Sequence, residues 1–190
     1  MSKLNVAVLV GSTRRDSLNR RLAEALGRLA GERLAFTFVK IDDLPLYNQD
    51  LEADYPESAK RVKAEIEAAD GVLFVTPEHS RSIPAALKNA IDWAARPWGK
   101  NSWAGKPAAI TGTSPGAVGT AVAQAHLRHI ASILGMIVTG GEAYISFRPD
   151  LIDAQGNVTD ESTRAFLQTF IDQFATLLEH LHAGRKALAR

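Results

Sequence analysis

The chain has 190 residues, 46% hydrophobic and 23% charged, which suits a single domain with a full core. Lys plus Arg number 22 and Asp plus Glu 21, a net charge of +1, so neither a basic footprint for nucleic acid nor a strongly acidic surface is present. There are no cysteines, which excludes disulfides, thiolate metal sites and Cys nucleophiles. The apolar run at residues 6–10 falls far short of the ~20 residues of a membrane span. A single early lysine followed closely by Thr13-Arg14-Arg15 does not read as a signal peptide, so a soluble, cytoplasmic protein without nucleic-acid or membrane partners is expected.

Two periodicities alternate along the chain. Residues 4–10 form a dense β-branched run, the pattern of a strand buried on both faces. Leu18, Leu22, Ala25, Leu26 and Leu29 then mark an amphipathic helix stopped near Gly31. A second strand is read over 34–41, and after it a long loop whose Pro45-Leu46-Tyr47-Asn48 is expected to pack down. A helix over 56–69 turns Val62 and Ile66 inward, and 72–75 is a third strand between Asp70-Gly71 and Pro77. Pro84 opens the next helix, with Leu87, Ile91 and Ala94 on its apolar face. Residues 108–111 make a weaker strand, 119–134 a helix and 136–139 a short fifth strand. In the last helix Phe166, Phe170, Phe174, Leu177 and Leu181 share one face, and the tail at 185–190 is basic and expected to fray. Five strands alternating with five helices predict one domain over 1–184: a parallel sheet covered on both sides, in the order 2-1-3-4-5.

In such a sheet a ligand sits beyond the carboxyl ends of the strands, where the strand order reverses. Three loops reach that crevice: 11–17, 77–82 and 112–116. The first, Gly11-Ser12-Thr13-Arg14-Arg15-Asp16-Ser17-Leu18-Asn19, brings hydroxyls, guanidinium groups and the open N–H groups of a helix N-terminus. That chemistry suits a phosphate monoester. The rival reading makes Asp16 or Ser17 an ordinary N-cap and leaves the arginines in solvent. Neither a Walker A loop nor a G-x-G-x-x-G fingerprint is present. The second loop, Pro77-Glu78-His79-Ser80-Arg81-Ser82-Ile83-Pro84, is stiffened by two prolines. It either presents backbone groups edge-on to a planar ring or is simply a rigid turn before a helix.

These residues resemble the NADPH-dependent FMN reductase family, on the side of its soluble quinone, chromate and ferric reductases. Gly11-Ser12-x-Arg14-x-x-Ser17-x-Asn19 is similar to one family signature. Pro77-Glu78-x-x-x-Ser82-x-Pro84-x-x-Leu87-Lys88-Asn89-Ala90-Ile91-Asp92-Trp93 is similar to a second, longer one. Gly105-Lys106-Pro107, Ser114-Pro115-Gly116 and Glu142-Ala143-Tyr144 agree as well, and the likeness runs from about Asn5 to Leu178. The resemblance implies a flavodoxin-like three-layer sandwich. It implies that Ser12, Arg14, Ser17 and Asn19, with Gly11 and Leu18 beside them, hold the phosphate of FMN. Pro77, Glu78, His79, Ser80 and Arg81 would border the isoalloxazine, and Ser114, Pro115 and Gly116 would cover its other edge. It further implies NADPH or NADH as donor, a ping-pong cycle, a homodimer or dimer of dimers, and small acceptors: quinones, flavins, chromate, ferric complexes or azo compounds. The family usually has Tyr then Asn after Pro-Glu, where this chain has His79 and Ser80.

Hydride transfer to a flavin asks for alignment more than for an acid or base, so no catalytic side chain is expected. Arg14, Arg15 and Arg81 are candidates for the nucleotide phosphates. His126 and His129 stand at i, i+3 without a third ligand and read as surface or interface histidines, so no metal site is expected. Trp93 reads as core, and Trp98 and Trp103 as candidates for a subunit surface. No G-x-S-x-G elbow supports a serine hydrolase. Two other readings stand beside the reductase: a non-enzymatic electron carrier of flavodoxin type, and a relative without flavin because of His79-Ser80.

Overall fold

The computed structural model describes residues 3–188. The elements follow in the order β1 (Leu4–Val10), α1 (Leu18–Ala30), β2 (Leu34–Phe38), α2 (Glu57–Ala68), β3 (Gly71–Val75), α3 (Ala85–Ala94), β4 (Pro107–Ser114), α4 (Ala121–Ile133), β5 (Ile137–Val138), β6 (Ala143–Ser146) and α5 (Glu161–Leu188). All pairings between these strands are parallel, and the sheet runs β2-β1-β3-β4-β5, the expected order. β6 lies off that path and pairs with the far half of β4, Thr111 opposite Ala143 and Ser114 opposite Ser146. The expected fifth strand is shortened to Ile137–Val138, and β6 is an additional strand on the same edge, separated from it by Gly140-Gly141, where Gly141 takes φ +81°. Arg128 spans that break by donating to the carbonyls of Thr139 and Gly141.

Alternate residues of the buried strands feed two cores, as the period of two requires. Val6, Val8 and Val10 face Leu22, Leu26, Phe170 and Phe174 of α1 and α5. Ala7 and Leu9 face the opposite layer, with Val62, Ile66, Leu87, Ile91 and Leu127 of α2, α3 and α4. Gly71 starts β3 beneath α5, where a Cβ would meet Leu178 at 2.9 Å. Arg33 pins α5 to the sheet edge with bonds of 2.9 Å to Asp172, Thr176 and Glu179.

Three expectations are corrected. The buried stripe of α5 is Leu167, Phe170, Ile171, Phe174, Ala175 and Leu178, while Phe166 is exposed and Leu177 and Leu181 are half-buried. Trp103 is fully buried, packed on Phe74 at 5.6 Å with its indole N–H on the Ile91 carbonyl, and is not a surface residue. Trp98, by contrast, is 90% exposed. The supposed fraying tail continues α5 as far as Leu188: Arg185 donates to the Gly105 carbonyl at 2.9 Å, and Arg185 and Lys186 suit the negative end of the helix dipole. Residues 189–190 lie outside the described residues. Trp93 is buried as expected, and the loop after β2 packs on it through Tyr47, with ring centroids 5.0 Å apart.

Candidate active site

The carboxyl ends of β1, β3 and β4 deliver the three loops to one cavity of about 680 Å³, within the range of small-molecule sites. It is lined by Gly11, Ser12, Thr13 and Arg14, by Leu18 and Asn19 of α1, by Pro77, Glu78 and His79, by Pro84, Ala85 and Ala86, and by Thr113, Ser114 and Pro115. Ten of the expected site residues line it. Ser17, Ser80, Arg81 and Gly116 do not, and Thr13, Thr113 and the start of α3 are additions. Thr113 carried no motif of its own, but it lies in 112–116, one of the three loops read as reaching the crevice.

Each loop is held by an identifiable device. Ser17 is buried and caps α1, its Oγ accepting from the Arg20 N–H at 3.1 Å. Among the described residues, the backbone N–H groups of Ser12, Thr13, Leu18 and Asn19 have no protein acceptor. They are the donors that a helix N-terminus offers to an anion. The buried Asn19 side chain clamps the third loop, donating to the Thr113 carbonyl at 3.0 Å and accepting from the Thr113 N–H at 2.9 Å. Asn19 therefore positions loop 112–116 across the cleft, a role its sequence neighbours did not reveal. Gly112 is needed for close approach of the strands, since a Cβ there would stand 1.9 Å from the Thr76 carbonyl oxygen.

Loop 77–82 folds as a tight turn in which His79 and Ser82 exchange backbone bonds of 2.9 Å. Ser80 and Arg81, at its tip, have φ of 49° and 62°, the left-handed region that costs a residue with a Cβ about 1–2 kcal/mol. Glu78 braces this turn from behind. Its side chain is 8% exposed; Oε2 accepts from the N–H groups of Val122 at 3.0 Å and Ala123 at 3.1 Å, and Oε1 accepts from Arg81 at 2.8 Å. Thr120, the residue at the N-cap of α4, makes no side-chain cap, so Glu78 serves as that cap from another loop. Burial alone would raise the Glu78 carboxyl, but the α4 amides and the Arg81 guanidinium more than offset this and hold it below its ordinary value. Its carboxylate is thus committed to the scaffold, while the loop backbone and His79 are left to face the cavity. His126 stands alongside, its Nδ1 at 3.1 Å from Ser82 Oγ, and no cluster of three His, Cys, Asp or Glu suited to a metal occurs among the described residues.

A second cavity, about 500 Å³ between β6 and the start of α5, lies away from this crevice. The α5 N-terminus beside it is already capped by Asp160, which accepts from the Thr163 N–H at 2.7 Å.

The donor set fits a mononucleotide. Hydroxyls, a guanidinium and open amides stand at one end for a phosphate, and Pro77, Pro84, Leu18 and Pro115 form apolar walls for a flat ring. Fold and cleft together define a mononucleotide-binding protein of the flavodoxin-like class. The chain belongs to the NADPH-dependent FMN reductase family, whose sequence pattern matches residues 4–150. It is 53% identical over 173 residues to a 2-hydroxy-1,4-benzoquinone reductase from a Burkholderia species, covering 90% of this chain and 94% of that protein. A quinone reductase of Pseudomonas putida is 49% identical over 174 residues, covering 90% and 93%. Among solved structures, the flavoenzyme NAD(P)H:(acceptor) oxidoreductase FerB of Paracoccus denitrificans superposes with a TM-score of 0.91 at 52% identity, covering 93% of this chain and 98% of its own.

Proposed function

We propose that the cleft of the three loops holds FMN, with its phosphate at the N-terminus of α1, and that the protein passes electrons from NADPH or NADH to small acceptors, quinones foremost. The observation that carries this reading is the set of unpartnered N–H groups at Ser12, Thr13, Leu18 and Asn19, opening onto a cavity shared by all three loops. Membership of the family and the quinone reductases among the relatives support the same reading.

When bound, FMN supplies a two-electron hydride acceptor that the side chains of a protein cannot provide. The chain's part is to bind, orient and exclude. The hydroxyls of Ser12 and Thr13 would donate to the phosphate, and Ser17 could donate its proton there while still accepting from Arg20. Arg14, which rests on the Asp16 carbonyl at 2.6 Å, can turn its guanidinium to the same anion. Pro77 and His79, where the family usually has Tyr, would border one edge of the ring, and Ser114 and Pro115 would border the other. No side chain needs to donate or remove a proton for hydride transfer, so rate comes from alignment of donor and ring. The donor leaves before the acceptor enters, a ping-pong order.

Chromate, ferric complexes, azo compounds and free flavins are further acceptors consistent with an exposed ring edge. A homodimer or dimer of dimers belongs to the reading: Trp98, 90% exposed, and Ile133, 80% exposed, lie on segments joined by the Asn101–Leu134 bond and form apolar surface that an interface would cover. Action in the cytoplasm is part of the same proposal; no helix of the described residues is long and apolar enough to cross a membrane. Anaerobic mixing of the FMN-loaded protein with NADPH or NADH tests the reading: the oxidised flavin absorbance should bleach within a turnover and return on adding benzoquinone. A protein that binds FMN yet bleaches only over many minutes would be a carrier and not a reductase.

A further inference from the structure

A second cleft of about 420 Å³ opens on the other side of the first loop, between the carboxyl ends of β1 and β2. Ser12, Thr13 and Arg14 line both clefts, so this loop is the wall they share. Four cations line the second cleft, Arg14, Arg15, Arg20 and Lys40, against one carboxylate, Asp42. Much of the neighbouring acidity is already engaged. Asp43 accepts from Arg61 at 2.9 Å, and Arg61 also donates to the Lys40 carbonyl at 2.8 Å, which fixes the backbone that carries Lys40. Lys40 keeps only a long 3.8 Å approach to Asp43, and Arg15 makes no hydrogen bond or ion pair among the described residues. At the floor, the Arg20 guanidinium lies 3.6 Å from the centre of the half-buried Phe38 ring and is steadied by Glu24 at 2.7 Å. That pair is a flat, cationic stacking platform. The cleft thus offers two kinds of recognition side by side: loosely paired cations for a phosphate, and a planar surface for an aromatic base.

We propose that this cleft receives the 2′-phosphoadenosine end of NADPH, with Arg15 and Lys40 on the 2′-phosphate and the Arg20–Phe38 pair beneath the adenine. It rests on the donor reading given above. The nicotinamide must lie in the first cavity to meet the flavin, so the far end of the dinucleotide needs a separate seat, and a cleft sharing the wall of residues 12–14 supplies one. NADPH and NADH differ only in the 2′-phosphate, so this arrangement makes the protein selective for NADPH.

Calorimetric titration of the FMN-loaded protein with adenosine 2′,5′-bisphosphate, 5′-AMP and inorganic phosphate tests the site without any turnover. The bisphosphate should bind at least tenfold tighter than 5′-AMP and compete with NADPH. Lys40→Glu, at an exposed position, should lose that preference and lower the kcat/KM ratio of NADPH over NADH at least tenfold, with Lys40→Gln falling between. Phe38→Ala should weaken the bisphosphate and 5′-AMP alike, which separates the base from the phosphate. Equal affinity for 5′-AMP and the bisphosphate, or inorganic phosphate competing as well as the bisphosphate, would overturn the proposal, as would an unchanged nucleotide ratio in Lys40→Glu. Flavin reduction by NADH with no bisphosphate preference removes this site and leaves the reductase reading intact. Tight bisphosphate binding with no bleaching by either nucleotide does the reverse.

Discussion

Replacing Glu78 by Ala removes the side chain that caps α4 among the described residues and, with it, the brace of the 79–82 turn. Two backbone N–H groups, at Val122 and Ala123, lose an ionised acceptor whose side chain is only 8% exposed. Two hydrogen bonds to a charged group are worth roughly 1.5–3 kcal/mol each before water returns to the freed donors, so a net loss of about 3 kcal/mol is expected. In a chain of this length 1 kcal/mol moves Tm by about 2–4 °C, so the variant should melt roughly 6–12 °C lower. Glu78→Gln, which can still accept one or both N–H bonds without the charge, should fall between. The sign of the pH dependence follows from the lowered carboxyl. The folded state binds this proton less readily than the unfolded chain, so the contribution is complete above the unfolded glutamate value of ~4.3 and disappears as pH falls through the folded one. Thermal melts of wild type and Glu78→Gln should therefore draw closer together as pH falls below the unfolded glutamate value. FMN titration by fluorescence quenching should show weaker binding in Glu78→Ala, because two left-handed residues lose their support. A Glu78→Ala protein within 0.5 kcal/mol of wild type, with flavin affinity intact, would refute the brace.

Asn19→Ala breaks both buried bonds to the Thr113 backbone and should cost about 2–4 kcal/mol in urea unfolding while loosening loop 112–116. Ser80→Asn places a residue tolerant of positive φ at the turn tip and should stabilise by about 0.5–1 kcal/mol, read as a higher urea midpoint at unchanged slope. Gly112→Ala puts a Cβ 1.9 Å from the Thr76 oxygen, a clash with backbone that side-chain motion cannot relieve. Its expected result is loss of more than about 3 kcal/mol or failure to fold, seen in melting and yield.

The order of the sheet and the place of the cleft were legible because they depend on alternation and chain order, which sequence records directly. Residues 4–10 could only be a central strand, and Gly11-Ser12 could only open a loop at its carboxyl end. What escaped depends on partners distant in sequence. The charge of Glu78 says nothing of its being drawn back to cap a helix 44 residues on. That the Asn19 side chain clamps the Thr113 backbone shows only once β4 is brought beside α1. In α5, two apolar stripes share Phe170 and Phe174, and only packing against the sheet selects the one with Ile171 and Ala175. Trp103 sits in a loop, where sequence favours the surface, but the space over Phe74 takes it. The sixth strand, Ala143–Ser146, was not read at all: it is only four residues long and shows itself by pairing with the far half of β4.

The central claim is that the N-terminus of α1 holds the phosphate of a flavin mononucleotide, and parallel titrations of the apoprotein with FMN and riboflavin test it most directly. The two ligands share the ring and ribityl chain and differ only in that group. FMN should bind at least a hundredfold tighter, about 2.7 kcal/mol, in line with several charge-assisted bonds to one anion. Equal affinity for the two would contradict the account.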